Sequence, residues 1–410
     1  MNRLPVFHHL LKMGFALLLS WHALPSMAQE NPFTISGYVL DAATSEPLPF
    51  ASIYLKSASI GTTTNEEGLF VFHLPADSQA DTVVISVIGY ASVFKKANAF
   101  AENQEIRLTE EATTLSAAVV TASREKGLTA KQIVRKAYRE ISNNYPKQPY
   151  ILEGYVRDLI KEDGKHVEYL ECATKLRYPG HQTPSEPMVE LMEVRTRFLG
   201  DKHPWNEDRE RKNSIIDLVE DDLIVFDYGP IKGKNGWKYE LESILPYNEG
   251  MVYKIRGVDK PFQTATLFID AETFAFVRIE LTRAAQEGDS WVRRLSNGAL
   301  QVYYNLVIEY QEYRGKMYLK YQKEEDRWQI FEGAESDQLL FRQNPKKELF
   351  INRIVNEDLD RYPFQKNLDI ELSIENQAKA FNADFWRSYN IPAQTAEEST
   401  IIQELQDRTE

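Results

Sequence analysis

The longest regular signal in the chain is an alternation of period two. Val302, Tyr304, Leu306, Ile308 and Tyr310 share one parity, opposite Gln301, Asn305, Glu309 and Gln311. Arg314-Gly315-Lys316 supplies a turn, after which Met317, Leu319 and Tyr321 resume the apolar parity. Upstream, Met251, Tyr253 and Ile255 alternate with Val252, Lys254 and Arg256. Leu267 and Ile269 lead through Asp270-Ala271-Glu272-Thr273 into Val277, Ile279 and Leu281, which alternate with Arg278 and Glu280. Side chains on a strand point alternately to its two faces. The pattern therefore predicts a large antiparallel meander over residues 148–410, with one buried and one wet face. Leu267, Ile269, Val277, Ile279, Tyr304 and Ile308 form its candidate apolar ligand face.

Residues 30–110 carry a different rhythm. Phe33 to Asp41, Ala51 to Leu55, Leu69 to Phe72 and Thr82 to Val87 are short strand signals separated by Pro47-Leu48-Pro49, Gly61 and Asn65-Glu66-Glu67-Gly68. Strands at that spacing predict a small β-sandwich. Asp41, Asn65 and Glu67 are read as turn-forming side chains in preference to a calcium site. Residues 111–147 join the two regions. Leu115 to Ala122 reads as a linker strand. Thr129 with Gln132 forms a capping box, and Ile133, Val134, Ala137, Tyr138 and Ile141 make one stripe of a helix that stops before Pro146. Its other face carries Lys131, Arg135, Lys136, Arg139 and Glu140 and is read as solvated. Near the end, Phe381, Phe385, Trp386 and Tyr389 have near-helical spacing and are read as docking a final segment on the sheet. Asp201 to Asn213 and residues 283–298 are polar connections.

The first 28 residues change the picture of where the chain resides. Arg3 and Lys12 precede a short apolar core, Gly14 to Leu19 and Trp21 to Leu24, and Ser26-Met27-Ala28 places small residues at a cleavage site. This predicts a signal peptide cut after Ala28, and no cysteine adjoins the site to carry a lipid. Loss of Arg3 and Lys12 would take the net charge from −13 to −15. With one cysteine, Cys172, there is no intrachain disulfide, so the expected address is a periplasm or the outer-membrane side of a cell envelope. The acidic balance, with a pI near 5.2, argues against nucleic acid as a partner. No apolar run in the body of the chain is long enough for a spanning helix.

The blocks ISGYVLDAATSEPLPFASIYL, IGTTTNEEGLFVFHLP and VVISVIGY, in that order, resemble the carboxypeptidase-like regulatory domain common in Bacteroidetes envelope proteins. The resemblance implies a seven-stranded transthyretin-like sandwich without catalytic residues. Leu115 to Ala122 is similar to the segment that follows this domain in TonB-dependent receptors. The 288 residues after Ala122 are too few for a receptor's plug and barrel. The helix followed by LFIDAETFAFVRIEL resembles the half-barrel of LolA-like lipoprotein carriers. Together these features look like a family of Bacteroidetes envelope proteins. The fold class expected is mainly β (α+β): sandwich, connecting helix, large antiparallel half-barrel.

Chemistry is sparse. Beyond the leader the histidines are His73, His166, His181 and His203, none at metal-ligand spacing. Gly288-Asp289-Ser290 sits in a polar loop and not on the strand-to-helix turn a GDS hydrolase needs. Cys172, in a strand pattern, is read as buried filler. The expected function is therefore non-catalytic, with no cofactor or metal. A curved sheet would hold a lipid, a lipoprotein or a protein partner at the outer membrane. A scaffold or receptor accessory module is the alternative, and a hydrolase the third.

Overall fold

The computed structural model describes residues 33–407, apart from 102, 112–126, 182–186, 199–213, 234–235, 286–293, 371, 373 and 378–381. The leader, the Leu115–Ala122 run, the 201–213 loop, His203, Gly288-Asp289-Ser290 and Phe381 lie outside the described residues.

Seven strands build the small domain: β1 (Phe33–Asp41), β2 (Ser52–Leu55), β3 (Gly61–Thr63), β4 (Leu69–Leu74), β5 (Thr82–Ser86), β6 (Val93–Lys96) and β7 (Gln104–Leu108). They form two sheets, ordered β4-β1-β7 and β3-β2-β5-β6. Ile35, Val39, Ile53, Phe70, Phe72 and Ile85 fill the space between them. The β1–β7 pair is parallel, and Gly37 lies opposite Gln104. A Cβ on Gly37 would stand 2.1 Å from the Gln104 carbonyl oxygen, so only glycine fits there. Asp41 and Asn65 act as the expected turn side chains, whereas the Glu67 carboxylate accepts from the Ala396 amide at 2.9 Å. Asp41 Oδ1 accepts from the Ala43 and Thr44 amides, each at 2.7 Å. Asn65 Oδ1 accepts from those of Glu67 and Leu69, each at 2.9 Å.

The helix α1 (Ala130–Asn144) starts at the Thr129–Gln132 capping box and buries Ile133, Val134, Ala137 and Ile141. After it come β8 (Tyr150–Glu162), β9 (Lys165–Tyr178), β10 (Met188–Phe198), the short α2 (Ser214–Glu220), and seven strands in meander. These are β11 (Lys238–Tyr247), β12 (Gly250–Lys260), β13 (Gln263–Asp270), β14 (Phe276–Ala284), β15 (Ala299–Tyr313), β16 (Lys316–Phe331) and β17 (Leu339–Val355). All ten large-domain strands join one open antiparallel sheet, ordered β10-β9-β8-β17-β16-β15-β14-β13-β12-β11. Asp270 closes the β13–β14 turn by accepting from the Glu272 and Thr273 amides at 3.0 and 2.7 Å.

Both faces of the sheet are covered. One packs on α1, α2 and residues 221–231. The other meets the small domain and two C-terminal helices, α3 (Ala383–Ser388) and α4 (Ala396–Asp407). The small domain is joined by backbone bonds, Gly89 N–H to Pro246 O at 2.9 Å and Ile354 N–H to Ser59 O at 3.0 Å. Lys346 pairs with Glu66 at 2.6 Å, and Phe50 stacks on Tyr321 at 5.2 Å. Asn390 exchanges two hydrogen bonds with the His73 backbone, fixing the C-terminal segment against β4. Among the described residues no helix is long and apolar enough to cross a membrane.

Candidate functional site

The predicted ligand face is occupied by the chain itself. Leu267, Ile269, Ile279 and Ile308 are fully buried, and Tyr304 nearly so, in one core with Ile133, Val134 and Ala137 of α1 and Ile215 and Leu218 of α2. Burying such side chains contributes about 1.5–3 kcal/mol each, so this packing is a main stabiliser of the large domain. Val277 departs from the expected pattern. The register shifts between β13 and β14, where Phe276 pairs with Ile269 and Arg278 with Phe268. Val277 is the extra residue of that bulge and turns toward the small domain. Tyr321 departs likewise: Glu309 pairs with Tyr321 and Tyr310 with Leu319, leaving Lys320 as the extra residue. Tyr321 then packs with Tyr155, Phe350 and Trp386 on the opposite face from Leu319.

Polar groups tie the cover to the sheet. Tyr304 donates to Asp221 at 2.8 Å, Tyr310 to Asp222 at 2.7 Å, and Gln322 Nε2 to the Leu218 carbonyl at 2.5 Å. Lys347 reaches Asp217 at 2.7 Å and Glu324 at 3.1 Å. Asp221, Glu324 and Asp326 crowd together. Burial, and then the bond and charge of Glu324, push the Asp221 carboxyl up to about 6 from 3.8, against the opposing hydroxyls of Tyr228 and Tyr304. Glu324 and Asp326 are also raised, chiefly by burial. The folded chain thus holds on Asp221 a proton that the unfolded chain releases. Its contribution to stability is complete below about pH 4 and is lost as the pH rises through about 6. Asp221→Asn is expected to raise stability at pH 7 by on the order of 2–3 kcal/mol, and by much less at pH 4. Urea midpoints at both pH values check this. Equal gains at the two would show that ionisation is not the cause.

The opposite face holds a preformed cavity. It measures about 390 Å³ and lies between the small domain and the sheet. Phe50, Val87 and Ile88 wall it from the small domain, and Leu245, Phe268 and Val277 from the sheet. Its charged side is Lys254, Arg278, Glu280, Glu309 and Lys320. Both bulged residues, Val277 and Lys320, point into it. Bulges re-aim side chains in this way, and period-two reading cannot anticipate them. Lys320 meets Glu309 at 2.8 Å, and Arg278 bonds Glu280 at 2.7 Å and also Glu309. Burial opposes ionisation of Glu309, but Lys320 and Arg278 outweigh it and hold the carboxyl below its ordinary range. Ser86 also lines the cavity, and its buried Oγ has no hydrogen-bond partner among the described residues.

Beyond the cavity, one row of cross-strand neighbours carries Glu280, Val307, Lys323, Glu348, Arg157, Glu171 and Arg195 in register across seven strands. Apart from Val307, the row alternates in charge, the pairing that opposite neighbours on a sheet favour. α4 closes over it: Glu398 accepts from Arg157 at 2.7 Å, and Glu397 from Lys161 at 2.9 Å. The C-terminal aromatics seat the preceding segment as the sequence suggests. Phe385 stacks on Tyr389 at 4.8 Å, and the Tyr389 hydroxyl donates to the Gly154 carbonyl at 2.9 Å.

The described histidines stand apart. His73 contacts Thr34 Oγ1 at 2.8 Å, His181 the Pro146 carbonyl at 3.4 Å, and His166 lies 3.5 Å from Glu397. Cys172 is fully buried in the large core, and burial pushes its thiol well up. Among the described residues no group of three or more His, Cys, Asp or Glu side chains is placed to hold a metal ion.

Residues 35–120 match the CarboxypepD_reg-like domain family. No curated protein matches the chain. Similar solved structures include a LolA superfamily protein from Nitrosomonas europaea, 12% identical with a TM-score of 0.23, covering 59% of this chain and 100% of that one. A DUF1329 family protein from Desulfovibrio piger is 10% identical with a TM-score of 0.27, covering 56% and 95%. At such identities and TM-scores no function transfers to this chain.

Proposed function

We propose that this chain is an exported, non-catalytic binding module of the cell envelope, and that its ligand is lipid-like. The cavity between the small domain and the sheet carries the reading. Its volume falls within the range of small-molecule sites, and its lining divides into an apolar wall and a charged one, as an amphiphile requires. The face first expected to hold a ligand, with Leu267, Ile269, Ile279, Tyr304 and Ile308, would serve only after α1 and α2 had left it. Neither helix is a loose flap, because each buries apolar residues there, α2 is tied by the bonds given above, and α1 is held at Asn143 by Lys316 and through Asn144 to the Thr273 carbonyl. Export is supported by the leader pattern at residues 1–28 and by the single cysteine.

Native mass spectrometry of the chain purified gently from envelope extract tests the proposal. The expected result is a bound mass of several hundred daltons, released on denaturation. A bare chain mass, together with a stable protein complex in crosslinked cells, would replace the lipid reading with that of a scaffold for an outer-membrane partner.

A further inference from the structure

We infer that the interdomain cavity takes a single-chain amphiphile with an anionic head, its chain against the small domain and its head at Lys254. This rests on the lipid-like reading above and gives it a chemical class. Three cations and two carboxylates line the cavity. Arg278 and Lys320 are already matched by Glu280 and Glu309. Lys254 is the third cation. Its partner, Glu242, stands 3.2 Å away, does not line the cavity, and is like Lys254 about one-third exposed at 34% and 36%. So exposed a pair contributes little, and a ligand anion can take its place.

Two further features fit such a head and chain. Ser86 Oγ is buried in the lining without a partner among the described residues, and a hydroxyl so placed is a donor awaiting an acceptor. Phe268 is the direct cross-strand neighbour of both Lys254 and Arg278, so an apolar surface begins where the Lys254 charge ends. The remaining apolar lining continues that surface, through Leu245 and Val277 of the sheet, onto Phe50, Val87 and Ile88 of the small domain.

Titration calorimetry of the full chain with dodecanoate, dodecyl phosphate and dodecanol, all below their aggregation concentrations, tests the inference. Both anions are expected to bind about tenfold or more tightly than the alcohol, since hydrogen bonds to charged groups are the stronger ones. Lys254→Met, which keeps the stem and removes the charge, is expected to abolish that difference. Ser86→Ala should weaken the anions about threefold. Ile88→Trp, at a half-buried turn position, should weaken all three ligands about tenfold or more by filling the cavity, with a single cooperative thermal transition retained. Equal binding of anions and alcohol by the wild-type chain would overturn the anionic head yet leave the lipid-like reading standing. Binding that Ile88→Trp and Ser86→Ala both leave intact would overturn the assignment to this cavity. Absence of binding by all three ligands would overturn both.

Discussion

Arg157→Ala is expected to cost the folded chain about 3–5 kcal/mol, the loss typical when one partner of a buried ion pair is removed. Arg157 is 4% exposed, donates to Glu398 at 2.7 Å, and lies 4.0 Å from Glu348. Glu398 and Glu348 are themselves buried. Without the guanidinium, Glu348 retains Lys346 at 3.4 Å and the Tyr321 hydroxyl at 2.8 Å. Glu398 retains the Thr395 amide at 2.8 Å and loses its cation. Burial already raises the Glu398 carboxyl, with Arg157 pulling against it, so removing Arg157 should raise it further and favour proton uptake there. Two readouts follow. Urea unfolding at pH 7 should show the loss, and the loss should shrink as the pH falls and Glu398 becomes neutral. The double variant Arg157→Met, Glu398→Gln should recover a substantial part of it. A deficit below about 1 kcal/mol at pH 7 would mean that water reaches the network and screens it as it does a surface pair.

That network was only half legible in the chain. Glu171 adjoins Cys172 in a run read as a strand, and Arg157 and Arg195 fall within the meander expected over residues 148–410, but that reading does not set the register that puts them side by side. Their adjacency depends on the register of the consecutive pairs β8–β9 and β9–β10, and Glu348 joins them only because β17 pairs with β8, a contact across nearly two hundred residues. What the alternation does carry is local. The capping box at Thr129, the Asp270 turn, the stripe of α1 and the parity of Leu267, Ile279 and Ile308 follow from side-chain direction and backbone satisfaction within a few residues. The fold class follows from these, because strands with one apolar face need a second layer.

Two failures were systematic. Val277 and Tyr321 carry the right apolar character at the right parity and still end on the other face, because one extra residue in β14 and another in β16 reverse the parity beyond it. The candidate site was missed for a related reason. Lys254, Arg278, Glu280 and Glu309 are the polar half of the alternation and read as solvent-facing. The small domain sits on them, so the face expected to be wet became the lining of a cavity, and the face expected to hold a ligand became core. An amphipathic sheet pattern specifies that two environments exist. It does not say which is water and which is another domain.

The same distinction sets the second large effect. Val134→Asp is expected to destabilise the chain by about 4 kcal/mol or more, because it places an unpaired carboxylate at a fully buried position among apolar side chains. For a domain of this size that corresponds to a fall in melting temperature of roughly 10 °C or more. The manner of the loss matters more than its size. If α1 is part of the core, the variant unfolds in a single cooperative transition at lower temperature, and a hydrophobic dye binds only through that transition. If α1 is instead a cover that can leave, the sheet keeps its own transition near the wild-type temperature, and the dye binds beforehand to the exposed Leu267, Ile269, Ile279 and Ile308. The first outcome is expected. Val134 and its neighbours on α1 share one core with the sheet, Lys316 Nζ donates to the Asn143 carbonyl at 2.5 Å, and Asn144 Nδ2 donates to the Thr273 carbonyl at 3.0 Å. The C-terminal end of the helix is therefore fastened to two separate turns of the sheet. The N-terminal end is satisfied by its own capping box, and Arg135 in its second turn reaches the Gly233 carbonyl at 3.0 Å. Separating α1 would break these polar ties and expose apolar surface on both partners at once, which is the cost of unfolding and not of opening a lid.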